Sequence, residues 1–206
     1  MFREKSVAAP IAKGRHWVPV MIMVLLFSIG TGLFFLLPEQ YDSTMVDNST
    51  PWFSVKDGIL YFDESKYSGS EELVIPESIN GVSITAISDG CFQNCTDFSA
   101  VYLPVSLNAI GESAFQGCTT LRGISIPKSV TFIGRRAFYG CIALEAVELS
   151  DQMKRIGDNA FTNCIRLKYI FYSGTFSSWA ELYSENIGPD TAISCKDGIF
   201  PQANAG

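Results

Sequence analysis

The 206-residue chain holds a single histidine, His16, and neither a Gly-rich phosphate loop nor a Cys-x-x-Cys pair. One histidine removes most zinc sites and every Ser-His-Asp or Cys-His scheme unless His16 itself serves. Charged residues are scarce at 17%, below the usual quarter for a soluble domain. Basic charge is in short supply too. With 15 Lys and Arg against 21 Asp and Glu, the formal net charge is -6, a poor match to nucleic acid, whose phosphates need clustered bases. Asp57-Gly58, Asp89-Gly90 and Asp197-Gly198 read as turns and not as calcium ligands. No metal, cofactor or catalytic constellation is expected, and the chain is not read as an enzyme.

What is present begins with an uncharged run from Val18 to Leu37. Twenty residues at about 1.5 Å each cover about 30 Å, the thickness of a bilayer's hydrocarbon core. Trp17 marks one edge, where indoles favour the interface, and His16 falls beside it. Pro19 lies in the first turn, where its missing N–H costs little. Arg3, Lys5, Lys13 and Arg15 precede the run against Glu4 alone, whereas Glu39, Asp42 and Asp47 follow it. The basic side stays in the cytoplasm. The expected organisation is therefore a basic cytoplasmic tail over 1–17, a transmembrane helix or signal anchor over 18–37 and a polar stalk over 38–51. The run is longer than a cleaved signal's apolar core, and Pro38, Glu39, Gln40 and Tyr41 offer no small-x-small site, which favours an uncleaved anchor. A cleaved signal is the competing reading. Under both, the remainder is exported, with a net charge of -9 over residues 38–206.

Self-comparison shows a repeat. Ile87, Ile110, Ile133 and Ile156 are 23 residues apart, as are Phe92, Phe115, Phe138 and Phe161, and Cys95, Cys118, Cys141 and Cys164. Phe98, Leu121, Leu144 and Leu167 keep the same period, followed by Val101, Ile124, Val147 and Ile170. The first coil carries five extra residues near Asn80-Gly81, a turn pair. Within one unit, Leu121, Ile124 and Ile126 fit a short strand facing inward with Ser125 outward, and Pro127 stops it. Val130 and Ile133 point inward again, and Gly134 is expected to permit a turn. The segment from Arg135 to Cys141 is expected to form a helical turn with Ala137, Phe138 and Cys141 on one side. One coil cannot bury its own apolar residues, so the coils must stack into a common core.

The run Leu121 to Cys141, with Ile-Pro, Ser-Val-Thr, Ile-Gly, Ala-Phe and Gly-Cys in order, resembles the BspA-like leucine-rich repeats. Ile-Gly recurs at Ile110-Gly111 and Ile156-Gly157, and Ala-Phe at Ala114-Phe115 and Ala160-Phe161. Cys91-Phe92, Ile87-Ser88, Leu149-Ser150 and Tyr172-Ser173 depart from the pattern towards the ends, as capping repeats do. The resemblance covers about 52–200. It implies a repeat solenoid, a β-rich leucine-rich-repeat coil with short helical turns, with a strand–turn–strand lead-in at 52–61 and a terminal cap over 172–198. It also implies display at a cell surface for contact with proteins, glycans or other cells. In that cap, Ser177 or Ser178 is expected to start a short helix running through Glu185.

The six cysteines divide by position. Cys95, Cys118, Cys141 and Cys164 form one column between core Phe and core Leu, so a ladder of buried thiols is expected in place of disulfides. Cys91 takes the place of the repeat's alanine, and Cys195 is expected to be the most exposed thiol.

A ligand has only outward columns to use. One comprises Tyr102, Ser125, Glu148 and Phe171. Its neighbours are Ser99, Arg122, Glu145 and Lys168, and Ala100, Gly123, Ala146 and Tyr169. The candidate ligand face is accordingly Tyr102, Arg122, Ser125, Glu145, Glu148, Lys168, Tyr169 and Phe171, since aromatics and Arg anchor interfaces. The competing reading has the cap around Trp179 cover Tyr169 and Phe171. A second face carries Phe132 with Arg135, Arg136 and Arg155, against the reading of a solvated turn surface. The expected role is a membrane-anchored, cell-surface protein that binds a protein or glycan in adhesion. The alternatives are a non-adhesive envelope scaffold or a secreted protein after signal cleavage.

Overall fold

The computed structural model describes residues 50–67, 69–182, 187 and 191–201. The expected tail, the 18–37 segment and nearly all of the stalk lie outside the described residues. Within the described residues, no helix is long and apolar enough to cross a membrane.

The period of 23 becomes a stack of coils held by two sheets. The six-stranded sheet starts with an antiparallel hairpin, β1 (Phe53–Lys56) and β2 (Ile59–Phe62), closed by Asp57-Gly58, both left-handed at φ 54° and 78°. Parallel two-residue strands follow: β6 (Ala86–Ile87), β8 (Ala109–Ile110), β10 (Phe132–Ile133) and β12 (Arg155–Ile156), in the order β1-β2-β6-β8-β10-β12. The inserted residues of the first coil fold as the hairpin of β4 (Ser78–Ile79) and β5 (Val82–Ser83) around Asn80-Gly81.

The seven-stranded sheet runs β15-β14-β13-β11-β9-β7-β3. Its strands are β3 (Glu72–Val74), β7 (Ala100–Tyr102), β9 (Gly123–Ser125), β11 (Ala146–Leu149), β13 (Tyr169–Tyr172), β14 (Ala192–Cys195) and β15 (Gly198–Pro201). Register aligns Leu73, Val101, Ile124, Val147, Ile170 and Ile193 as one inward column. Ile193 follows Ile170 by another 23 residues, so the terminal segment continues the repeat instead of merely closing it. Antiparallel β15 then ends the sheet.

Between the sheets the core is columnar. Phe92, Phe115, Phe138 and Phe161 are all buried, and successive rings stack at 5.0, 5.2 and 5.3 Å. Each contributes about 1.5–3 kcal/mol of hydrophobic stabilisation. Cys95, Cys118, Cys141 and Cys164 are buried beside them, and all six thiols are free. The thiols of Cys118, Cys141 and Cys164 donate to the carbonyls of Phe92, Phe115 and Phe138, one coil back, at 3.0–3.1 Å. Burial raises the Cys118 thiol, and the neighbouring Cys164 thiol together with burial raises that of Cys141.

The expected helical turns are not helices. Gly90, Ser113, Arg136 and Asn159 are left-handed, with φ between 55° and 61°. Four residues later Asn94, Gly117, Gly140 and Asn163 are left-handed as well, with φ between 61° and 74°. A left-handed residue at each end frees the turn's amides from an i to i−4 pattern and aims them at the next coil. Phe115 N, for example, donates to Ala137 O at 2.7 Å, and Gly117 N to Tyr139 O at 2.8 Å. These bonds make a third intercoil ladder. Gly134 opens the expected turn, its O accepting from Ala137 N at 3.3 Å, and it has a second role. A Cβ there would lie 2.5 Å from Glu112 N, and one on Gly157 2.4 Å from Arg135 N. The Ile-Gly slot is glycine because adjacent backbones meet there.

At the C-terminal end, helix α1 covers Phe176–Leu182. Thr175 caps it, its Oγ1 accepting from Ser178 N at 3.3 Å, while Asp197 Oδ1 accepts from Phe176 N at 2.9 Å. This replaces the expected Ser177 or Ser178 cap, because the helix begins at Phe176 and the cap position falls on Thr175.

Candidate functional site

The outer side of the seven-stranded sheet gathers the predicted face. Strand alternation buries Val101, Ile124, Val147 and Ile170 and turns their neighbours outward. Register places Val74, Tyr102, Ser125, Glu148, Phe171, Ser194 and Ile199 in one row. A parallel row comprises Glu72, Ala100, Gly123, Ala146, Tyr169, Ala192 and Pro201. Arg122, Glu145 and Lys168 stand at the entry to β9, β11 and β13, their amides linked coil to coil. Five of the eight predicted residues, Tyr102, Ser125, Glu148, Tyr169 and Phe171, thus fall in the two outward rows, and Arg122, Glu145 and Lys168 flank them just before the strands.

Tyr102, Ser125, Tyr169 and Phe171 are half-buried, and Arg122, Glu145, Glu148 and Lys168 are exposed. The Tyr169 and Phe171 rings lie 5.7 Å apart and 19° from parallel. Trp179 does not cover them. It is buried against Tyr172, 5.6 Å away on the inward side, and β14 extends the sheet beside β13. Small residues at Ala100, Gly123 and Ala146 leave the middle of the face low, with open space over Gly123. Glu145 pairs with Arg166 at 3.0 Å, whereas Arg122 and Lys168 have no ion-pair partner among the described residues. The sequence reading missed Ser194 and Ile199, the latter 58% exposed, although the 23-residue step from Ile170 to Ile193 would have extended the face to them.

The second face is partly assembled as expected. Phe132, Arg135 and Arg155 line a cleft of about 370 Å³ together with Asp89, Glu112, Gly134, Gly157 and Asp158. Arg136 belongs elsewhere: its guanidinium lies 5.7 Å from the Tyr139 ring. Glu112 pairs with Arg135, which raises the guanidinium further, and Asp89 Oδ1 accepts from Glu112 N at 2.7 Å.

Glu64, Cys95 and Asp97 bring ligand atoms within 4.8 Å of one another. Burial pushes the Cys95 thiol up to about 11. Cys91 and Cys195 are half-buried, and burial raises their thiols to about 12 and about 11.

The family model described as BspA type leucine rich repeat region matches residues 85–186 in six copies, where four full coils were counted from the sequence. Among solved structures, the chain is similar to a leucine-rich repeat protein from Bacteroides capillosus at 27% identity, covering 59% of this chain and 93% of that one, with a TM-score of 0.50. It is also similar to a T. pallidum leucine-rich repeat protein (24% identity, 58% and 67% covered, TM-score 0.47). A leucine rich cell surface protein from Faecalibacterium prausnitzii is similar at 23% identity, with 66% of this chain and 44% of that chain covered and a TM-score of 0.48. No curated protein matches this chain. The 23-residue coils, the stacked Phe and Cys columns and the matched repeats together make this chain a BspA-type leucine-rich repeat protein.

Proposed function

We propose that this is a membrane-anchored, cell-surface protein that binds a protein or glycan ligand in adhesion. In this reading residues 18–37 hold it in the membrane, the basic tail stays in the cytoplasm and the solenoid is displayed outside. Stacked repeats present extended surfaces suited to binding. The observation that carries the reading is the outer face of the seven-stranded sheet, where Tyr102, Tyr169 and Phe171 stay half-exposed beside Arg122 and Lys168. Aromatic and Arg side chains are the usual anchors of an interface. A scaffold that only spaced other proteins has no need of them.

Protease shaving of intact cells tests the topology. Loss of the solenoid with a small membrane-retained stub supports it, and full protection overturns it. Binding of the full chain to extracellular-matrix proteins and glycans, compared with Tyr169→Ala and Arg122→Ala variants, tests the face. A loss of about tenfold or more is expected of each, and unchanged binding in both would remove this surface from consideration.

A further inference from the structure

We infer that the cleft on the six-stranded sheet is a second binding site, built for a neutral oligosaccharide. The inference does not rest on the seven-stranded sheet. The cleft exists because the Ile-Gly slots carry no side chains: Gly134 and Gly157 are pressed against neighbouring backbone and leave a bare floor. Phe132 and Arg155, from β10 and β12, rise on one side. Asp89, Glu112, Arg135 and Asp158, each two residues beyond a core isoleucine, rise on the other. At about 4.8 Å per strand, the four coils from Asp89 to Asp158 span roughly 15 Å. The cleft is an open groove of about 370 Å³, so a ligand would lie along it with one side in solvent.

The lining chemistry narrows the occupant. Three carboxylates repel phosphate and other polyanions. Two guanidiniums in the same cleft repel a bare cation. An extended peptide has only the edge of β12 to pair with, since β10 is bonded to β8 on one side and β12 on the other, and the two residues of β12 offer too short a ladder to hold it. An apolar ligand would bury five charged groups. A hydroxyl-dense, uncharged molecule meets none of these objections. Its O–H groups donate to the carboxylates, its ring and hydroxyl oxygens accept from guanidinium forks, and the C–H face of a sugar ring covers an aromatic ring. The cleft supplies each part. Phe132 is 37% exposed, whereas the Phe92, Phe115, Phe138 and Phe161 rings are buried. Arg155 and Asp158 are exposed and carry no ion pair among the described residues, so they meet a ligand without first breaking an existing bond. Glu112 and Arg135, already paired, present a pre-formed acceptor and donor side by side.

The test uses the full chain with four neutral trisaccharides, maltotriose, cellotriose, triacetylchitotriose and mannotriose, and sialyllactose as an anionic control. Saturation-transfer NMR and calorimetry read the binding. At least one neutral trisaccharide is expected to bind, and Phe132→Ala to weaken it about tenfold. Asp158→Asn is expected to weaken it similarly at an exposed position that does not threaten folding, while Tyr169→Ala leaves it unchanged. Absence of binding by all four at roughly 10 mM would overturn the proposal, being weaker than any useful site. So would binding of sialyllactose alone, binding that survives both cleft substitutions, or binding lost in Tyr169→Ala but kept in Phe132→Ala.

Discussion

The carbonyl oxygen of Phe115 accepts two hydrogen bonds, from Cys118 N of its own turn at 3.2 Å and from the Cys141 thiol of the next coil at 3.1 Å. The cysteine column thus does more than fill space, because each thiol ties its turn to the carbonyl behind it. Cys141→Ala removes the sulfur and one donor from a fully buried site. A loss of about 1–3 kcal/mol is expected by urea denaturation, the sum of a small cavity and a weak bond.

Accessibility should separate the six thiols. In the folded chain Cys195 is expected to react first with a thiol reagent, and the four ladder thiols only on unfolding. Six equivalents after denaturation would match the free cysteines, and fewer would reveal a bridge.

Stability should fall in alkali. Burial raises Cys91 to about 12 and Cys95 to about 11, from an ordinary 9.0. Below pH 9.0 both states hold these protons, so the contribution is complete. Above it the unfolded chain ionises while the folded chain does not, and stability is lost as pH rises towards 11 and 12. Urea midpoints across this window should decline less steeply in a Cys91→Ala/Cys95→Ala variant than in the parent.

Two glycines of one coil, Gly123 and Gly134, should respond oppositely to alanine. At Gly134 the new Cβ would meet backbone at 2.5 Å, and a loss of about 1–3 kcal/mol or more is expected. At Gly123 the space is open and φ is not left-handed. There alanine should be neutral or stabilising by up to about 1 kcal/mol. Thermal midpoints of the two variants check both.

Gly140 isolates the cost of left-handed backbone, since its φ is 72° and its nearest Cβ contacts would be 4.0 Å away. Gly140→Ala should cost about 1–2 kcal/mol. Gly140→Asn should cost less, because Asn94 and Asn163 occupy the same column with the same sign of φ.

Phe115 and Phe138 illustrate how much was legible in advance. A single coil exposes one side of every strand and turn unless the next coil covers it, so apolar residues must recur at the coil length. The inward columns and the unbridged thiols could be read from that period, and the turn at Asn80-Gly81 from its residue pair. The sequence by itself determined which side chains point inward and which outward, because that depends on alternation along the chain. Only the tertiary structure decided what lies opposite each one. Gly134 reads as a turn residue alone until the backbone of Glu112 is seen against it. Arg136 and Ser113 carry no local mark of left-handed backbone, since the intercoil bonds of the turn impose it. Whether Trp179 covered Phe171 or Tyr172 depended on where the chain re-entered the sheet. The cleft between Phe132 and Asp158 likewise exists only once residues 23 apart are stacked, because its walls come from different coils and its floor from their contact.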